Sequence, residues 1–215
     1  GKEKYQTWTF FRQWLRNPLA IAAVSPSSRE LAQKMLGALQ PNARRVVELG
    51  GGTGVFTRAA LERGIAPADL LVLELNQALY QHLRNTFAGV HVVCADARQL
   101  HDVAVSSGYL DAGPADAVLS GLGLLSMPRP SQREILRAAF DVMGPDGRFI
   151  QFTYGPVNPV AREVMGELDL MAEALHRHTP HRLAKPQPTA GVSLIGMGVV
   201  PLGAEAHRQH VVGEP

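Results

Sequence analysis

A glycine-rich turn between an apolar strand and a helix constrains this chain more than any other feature. Residues 46–49 read Val-Val-Glu-Leu, an apolar run with two β-branched valines that is typical of a buried strand. Glycines occupy positions 50, 51, 52 and 54, and residues 57–63 are predicted to form a helix that ends at Gly64. A strand, a glycine turn and a helix in this order are typical of a site for a nucleotide-type cofactor.

The spacing of this turn separates two kinds of nucleotide site. Glu48 stands two residues before Gly50, so the pattern is Glu-x-Gly-x-Gly-x-Gly. A dinucleotide fingerprint requires G-x-G-x-x-G, and the two registers that would supply it have Val55 or Thr57 in the third place. The pattern matches the S-adenosylmethionine loop of class I methyltransferases better, although glycine turns of this kind also occur without a ligand.

Two further strands are predicted to end in acidic residues at the same edge of the sheet. Residues 70–75 form an apolar strand that reaches Glu74, and residues 90–95 form a strand that leads to Asp96. Ligands of open parallel sheets bind at the carboxyl ends of the strands. We expect Glu74 to accept both hydroxyls of a ribose and Asp96 to accept an adenine amino group. For either acid the alternative is a helix N-cap or a solvated loop.

The rest of the chain continues the alternation of strands and helices. Two more strands are predicted at residues 115–120 and 148–154, and two more helices at residues 29–39 and 132–143. Ser27 or Ser28 is expected to cap the helix at 29–39. The order predicts an α/β, Rossmann-like fold, with helices on both faces of a mostly parallel sheet. We expect an N-terminal helical arm and cap at 1–40, a cofactor domain at 41–180 and an atypical segment at 181–215.

The composition of the chain indicates which classes of protein it can belong to. The 215 residues, 46% hydrophobic and 19% charged, suffice for one globular domain with a substantial core. The single cysteine, Cys94, lies in a predicted strand, so we expect a small buried side chain. The sequence shows no secretory signal and no apolar run of about 18 residues. The five histidines after residue 175 lack the partners of a recognisable metal site, so no metal is expected.

Positive charge is concentrated at the amino end. Residues 1–45 contain eight Lys or Arg and two acids, whereas the whole chain has a net charge of +2. A helix over the first residues would carry Trp8, Phe11 and Trp14 on one side and Arg12 on the other. Such a basic amphipathic helix suits the interface of an anionic membrane. The alternative is that the helix packs over the sheet as part of the core.

Several segments together resemble the bacterial phospholipid N-methyltransferases, over roughly residues 5–160. They are the aromatic arm and its Asn-Pro, Ala-Val-Ser-Pro-Ser-Ser at 23–28, the loop at 48–57, Ser-Gly-Leu-Gly-Leu-Leu-Ser-Met-Pro at 120–128 and Gln-Phe-Thr-Tyr-Gly-Pro at 151–156. Gly51 and Gly123 stand where this family usually has proline, and both changes are expected to loosen the backbone. The segment beyond about Glu167 looks unlike the family.

The resemblance implies a class I methyltransferase fold and an enzyme that methylates phosphatidylethanolamine stepwise toward phosphatidylcholine. S-Adenosylmethionine would be the cofactor and S-adenosylhomocysteine the product. The implied partners are an anionic membrane surface and the phospholipid, with no nucleic acid and no metal. We expect a cytoplasmic monomer that is peripherally bound to the inner face of the cytoplasmic membrane.

The resemblance also implies residue roles. Ser120 and Tyr154 are the expected catalytic residues. The expected lipid or membrane contacts are Tyr5, Trp8, Phe11, Arg12, Trp14 and Tyr154. The expected cofactor contacts are Ser27, Ser28, Glu48, Gly50, Gly51, Gly52, Thr53, Gly54, Glu74, Leu75, Asp96, Ala97 and Ser120.

Two alternative functions remain open. An RNA adenine N-methyltransferase would share the loop and the acids, and a basic arm would suit it. Such enzymes carry Asn- or Asp-Pro-Pro-aromatic after the fourth strand, where an aromatic ring stacks on a flipped base, but this chain has Ser-Gly-Leu-Gly at 120–123. The second alternative is a non-catalytic relative that binds S-adenosylmethionine or membranes.

Overall fold

A seven-stranded sheet forms the centre of the computed structural model, which describes residues 26–154, 171–174 and 191–197. Its strands are β1 (Val46–Leu49), β2 (Leu70–Glu74), β3 (His91–Cys94), β4 (Ala115–Ser120), β5 (Met143–Tyr154), β6 (Met171–Ala174) and β7 (Gly191–Met197). The order across the sheet is β3-β2-β1-β4-β5-β7-β6, and each described pair is parallel. The first five strands follow the doubly wound order, and β7 is inserted between β5 and β6.

Helices cover both faces of this sheet. They are α1 (Pro26–Gly37), α2 (Val55–Glu62), α3 (Gln77–Thr86), α4 (Leu100–Ser106) and α5 (Arg129–Val142). Successive residues of a strand point to opposite faces, so β1 contributes to two cores. Val46 packs in one core with residues of α1, α2 and α3, and Val47 packs in the other with residues of α4 and α5. The predicted Rossmann-like α/β fold is confirmed.

Most element bounds agree with the sequence predictions to within three residues, and the largest difference is at the start of β5, which begins five residues earlier than predicted. β4 has the predicted bounds, whereas α2 begins two residues earlier than predicted, at Val55. α1 begins at Pro26, so Ser27 and Ser28 lie in its first turn. The prediction that one of them caps this helix is wrong, because a cap residue lies before the first turn.

Arg45 fixes the amino edge of the sheet, opposite to the predicted site. Its Nη1 atom lies 2.6 Å from Oδ1 of Asp69, and its guanidinium lies 4.3 Å from the centre of the Tyr109 ring. The N–H of Arg45 donates to Oδ2 of Asp116 at 2.9 Å. These contacts link the chain before β1 to the segments before β2 and at the start of β4, so the strands enter the sheet in a fixed alignment.

Several predictions fall on residues outside the described ranges. These include the amphipathic arm with Tyr5, Trp8, Phe11, Arg12 and Trp14, and the five histidines after residue 175. The segment 181–215 supplies β7, which pairs along β5 from Arg148 opposite Gly191 to Tyr154 opposite Met197. The segment beyond about Glu167, which looked unlike the family, therefore supplies two strands of the central sheet, β6 and β7.

Candidate cofactor site and the assignment to a family

The glycine turn connects β1 to α2 at the carboxyl edge of the sheet. Gly50, Gly52 and Gly54 have φ angles of +76°, +54° and +83°, in the left-handed region that favours glycine. The N–H groups of Gly50 and Gly51 both donate to the carbonyl oxygen of Leu73, at 2.9 and 3.2 Å. The turn is therefore tied to the end of β2, and Thr53, partly buried, lies within it.

Glu74, the last residue of β2, holds the turn through its carboxylate. The side chain is buried, its Oε2 accepts a bond from the N–H of Gly52 at 2.8 Å, and its Oε1 accepts one from the N–H of Asn76 at 2.8 Å. An ionised carboxylate has about four acceptor positions, so each oxygen retains one. Two neighbouring acceptor positions can bind two hydroxyl groups on adjacent carbons.

Glu48 lies beneath the turn, in the middle of the sheet. It is 2% exposed, and its Oε2 accepts a bond of 2.6 Å from the hydroxyl of Thr57 on α2. Its Oε1 is buried with no hydrogen-bond partner among the described residues. Burial raises the pKa of Glu48 to about 8; the Thr57 hydrogen bond opposes this rise and the negative charge of Glu74 adds to it. The buried, incompletely bonded carboxyl is therefore held protonated over a wide pH range.

The residues predicted to contact a base lie at the ends of β2 and β3. Asp96 caps the short 3-10 helix Ala97–Gln99, and Arg98 binds its carboxylate with the backbone N–H and two guanidinium nitrogens. The Arg98 hydrogen bond holds the pKa of Asp96 below its ordinary value. Leu75 follows β2 and is 67% exposed, which offers an apolar surface next to these polar groups.

Cys94 does not have the predicted buried environment. It is exposed, and its Sγ lies 3.2 Å from Oε1 of Gln77. The reason is the position of β3, which pairs only with β2 in the described sheet and is its edge strand. The residues of β3 are half-buried or exposed, whereas all of β1 and β2 are buried.

Ser120 ends β4 directly beside β1, where it lies opposite Leu49. Its side chain is fully buried, and its hydroxyl accepts a 3.4 Å bond from the N–H of Leu122. Tyr154 lies on β5 three residues beyond Gln151, the residue opposite Ser120, or about 10 Å farther along the sheet.

Two buried glutamines that the sequence reasoning missed hold the turn after β4. Nε2 of Gln151, on β5, donates to the carbonyl of Leu122 at 2.8 Å. Nε2 of Gln132, on α5, donates to the carbonyl of Leu124 at 2.9 Å. The turn is therefore held at two carbonyls on either side of Gly123, and the expectation that Gly123 loosens its backbone stays a prediction. The sequence signal that could have revealed Gln151 is its polar side chain within the apolar strand at 149–152.

The predicted polar groups come together in one row along the carboxyl edge. Asp96 follows β3, Glu74 ends β2, the glycine turn follows β1 and Ser120 ends β4. Neighbouring strands are about 4.8 Å apart, so the row is roughly 14 Å long. Its acceptors therefore suit an elongated ligand that presents hydrogen-bond donors along its length.

Gly51 is tightly packed, whereas the expected loosening of its backbone stays a prediction. An added Cβ would lie 2.5 Å from Cγ1 of Val72 and 2.8 Å from Cδ1 of Leu83, both fully buried. The β-branched Val72 has little freedom to move away. The neighbouring core therefore fills the space that a side chain at this position would need.

We expect Gly51→Ala to lower the free energy of unfolding by about 1–3 kcal/mol because it overpacks this core. The measurement is urea denaturation followed by circular dichroism. Gly37→Ala is the matched control, since an added Cβ there meets nothing within 4 Å. The double variant Gly51→Ala/Val72→Ala should lose less stability than the sum of the losses in the two single variants. Equal stability of Gly51→Ala and the unmodified protein would contradict this account of the packing.

Comparison with known proteins gives one family match and several relatives. Residues 46–147 match the family described as "Methyltransferase domain". The ornithine lipid N-methyltransferase of Singulisphaera acidiphila is 34% identical over 151 residues, which cover 68% of this chain and 77% of the relative. Two solved structures also match, DesVI of Streptomyces venezuelae (17% identity, TM-score 0.44) and the glycopeptide N-methyltransferase MtfA in complex with S-adenosylmethionine (18% identity, TM-score 0.44). The matches cover 56% and 57% of this chain and 48% and 52%, about half, of the solved chains.

The sheet order, the glycine turn and the matched domain define a class I methyltransferase, whose cofactor is S-adenosylmethionine. The length and identity of the match to the curated relative are sufficient to show the family. The chain belongs to the lipid N-methyltransferases of this class.

Within the described residues, no group of three or more His, Cys, Asp or Glu side chains is arranged to hold a metal ion. None of the helices in the described ranges is both long enough and apolar enough to span a bilayer.

Proposed function

We propose that this protein transfers methyl groups from S-adenosylmethionine to the amino group of phosphatidylethanolamine at the surface of an anionic membrane. The observation that carries the lipid part is the 34% identity to an ornithine lipid N-methyltransferase. The sequence segments at 120–128 and 151–156, which resemble phospholipid N-methyltransferases, support phosphatidylethanolamine as the acceptor.

The row of acceptors along the carboxyl edge supports the placement of the cofactor. We assign the adenine to Asp96, Ala97 and Leu75, and the ribose to the two remaining acceptor positions of Glu74. The methionine part then lies over Gly50–Gly54, above Glu48 and close to Ser27 and Ser28 of α1. The cofactor supplies a methyl group that is already activated on a sulfonium sulfur.

The contribution of the protein to such a transfer is alignment and exclusion of water. The turn after β4 lies next to the glycine turn, because the N–H of Gly121 donates to the carbonyl of Leu49 at 3.0 Å. We assign Ser120 and Tyr154 to the acceptor side, where the lipid amine meets the methyl group. The amine must lose its proton before it attacks, and we assign that proton to water.

Membrane binding is the part of the proposal that depends on the amino end. Residues 1–45 carry eight basic residues, and the aromatic groups Tyr5, Trp8, Phe11 and Trp14 accompany Arg12 there. Apolar burial and attraction to anionic headgroups act together on such a segment. We therefore propose a peripheral position on the inner face of the cytoplasmic membrane, with no nucleic acid as partner.

An ornithine lipid is the second candidate substrate, because the curated relative acts on it. Both lipids present a primary amine close to the membrane surface, so the site chemistry is the same. Discrimination between them depends on the headgroup and not on the methyl transfer itself.

We expect label from methyl-labelled S-adenosylmethionine to enter phosphatidylethanolamine in mixed vesicles that also contain an anionic lipid. Parallel reactions contain ornithine lipid in place of phosphatidylethanolamine, neutral vesicles, or structured RNA. Glu74→Ala is the cofactor-site control, and Glu62→Ala, on the exposed surface of α2, is its matched counterpart. Label in ornithine lipid alone would replace the proposed substrate, and label in RNA would overturn the lipid proposal. Cofactor binding without any label would indicate a non-catalytic relative.

A further inference from the structure

Arg98 interacts with Asp96 more extensively than a helix cap requires. Its backbone N–H and its Nε donate to Oδ1 of Asp96 at 2.9 and 3.0 Å, and its Nη2 donates to Oδ2 at 2.7 Å. An ionised carboxylate has about four acceptor positions, and Arg98 occupies three of them. The remaining acceptor position is on Oδ2.

A second acid lies beside the guanidinium. Nη1 of Arg98 lies 3.7 Å from Oε2 of Glu134 on α5, while the Arg98 side chain is 49% exposed and that of Asp96 is 27% exposed. Pairs this exposed contribute little to stability. Their geometric effect is larger, because a planar guanidinium bound at two edges fixes the orientation of the carboxylate that it contacts.

We propose that Arg98 is a specificity-determining positioning residue, which holds the Asp96 carboxylate turned so that one oxygen accepts from the exocyclic amino group of adenine. This inference rests on the proposed placement of the cofactor. Arg98 itself does not touch the reacting atoms.

The consequence is discrimination between adenine and hypoxanthine. Adenine carries an amino donor at position 6, whereas hypoxanthine carries a carbonyl acceptor there, which a fixed carboxylate repels. A site built to bind an N–H group rejects a ligand that lacks it more strongly than an apolar site does. A carboxylate without Arg98 can rotate, bind water or take up a proton, and it then tolerates both bases.

The test compares the binding of S-adenosylhomocysteine and S-inosylhomocysteine by calorimetry. We expect the full-length protein to prefer the adenosyl ligand at least tenfold and Arg98→Met to reduce that preference to threefold or less. Arg98→Lys should give an intermediate ratio, since an ammonium cannot form the two-edged contact. Arg63→Met is the matched control, because Arg63 is an exposed arginine at the end of α2 and should leave the ratio unchanged.

The pH dependence of ligand affinity provides a second test, because a purely structural role of Arg98 would leave it unchanged. Arg98 lowers the pKa of Asp96, so the adenosyl ligand should begin to lose affinity at a higher pH in Arg98→Met than in the unmodified protein.

An unchanged base preference in Arg98→Met would overturn the role of Arg98, even if the overall affinity falls. If Asp96→Ala also retains the preference, the placement of adenine at Asp96 is wrong. Absence of any binding of S-adenosylhomocysteine to the unmodified protein would overturn the proposed site as a whole.

Discussion

Glu74→Ala is expected to lower the affinity for S-adenosylmethionine by at least tenfold. The substitution removes the two acceptor positions that we assign to the ribose hydroxyls. It also removes the acceptors of the Gly52 and Asn76 N–H groups, so the glycine turn loses its attachment to the end of β2. A hydrogen bond to a charged group contributes about 1.5–3 kcal/mol, and loss of one such bond to the ligand already gives a tenfold effect.

Glu74→Gln separates the two contributions. An amide has one acceptor oxygen and one donor NH₂ group, so in either orientation its nitrogen faces the N–H of Gly52 or of Asn76. We therefore expect an affinity between that of Glu74→Ala and that of the unmodified protein. Calorimetric titration with S-adenosylhomocysteine measures it, and Glu62→Ala serves as the surface control. Unchanged affinity in Glu74→Ala, with a folded circular dichroism spectrum, would remove Glu74 from the site.

The strands that carry this site were predictable because they are short, apolar and buried. Val46–Leu49 and Leu70–Glu74 are buried at every position, and such strands differ sharply in sequence from the polar segments around them. The positions of Glu48 and Glu74 at or near the strand ends follow from this contrast alone. The left-handed glycines of the turn were likewise predictable from residue type.

The start of α5 was harder to predict because proline has different effects at different helix positions. The helix begins at Arg129, so Pro130 falls in its first turn. The missing N–H of proline is harmless there, since the first N–H groups of a helix have no acceptor within the helix. The prediction placed the start at Gln132, after the prolines, and thereby missed the helical position from which Gln132 reaches the turn after β4.

The start of β5 shows a similar limit. The Gly-Pro-Asp-Gly run at 144–147 predicts a turn, and the structure extends β5 back to Met143. The pairing with β4 jumps from Ala115 opposite Met143 to Ala117 opposite Arg148, so these residues form an irregularity within the strand. Local turn residues do not reveal whether the chain resumes the same pairing after the turn.

The side-chain partners of the site depend on tertiary contacts that no local pattern contains. Arg98 follows Asp96 by two residues in the sequence. Its Nη1 atom also lies near Glu134, and this contact forms only because the fold brings α5 close to Arg98. The exposure of Cys94 depends on the edge position of β3. The buried state of Glu48 was implied by its apolar neighbours, whereas the bond from Thr57 depends on how α2 packs over β1.

That buried state leads to the second large expected effect, on the pH dependence of stability. The pKa of Glu48 is about 8 in the folded protein, against 4.5 for an exposed glutamic acid. Between these values the folded state holds one proton more than the unfolded state, so stability falls as the pH rises. We expect the contribution of Glu48 to the free energy of unfolding to fall by a few kcal/mol, at up to about 1.4 kcal/mol per pH unit, between about pH 5 and pH 8.

Glu48→Gln isolates this contribution, because glutamine has the shape of the protonated acid and does not titrate. We expect the stability advantage of the variant over the unmodified protein to grow as the pH rises from 5.5 to 8.5, because over this range Glu48 is ionised in the unfolded chain and is held protonated in the folded protein up to about pH 8. Urea denaturation followed by circular dichroism at several pH values gives the two curves, and Glu62→Gln controls for an exposed glutamate. Histidines and other groups contribute equally to both curves, so the difference between them belongs to Glu48. Parallel curves would mean that Glu48 titrates alike in the folded and unfolded chains, and that burial beneath the glycine turn does not hold its proton.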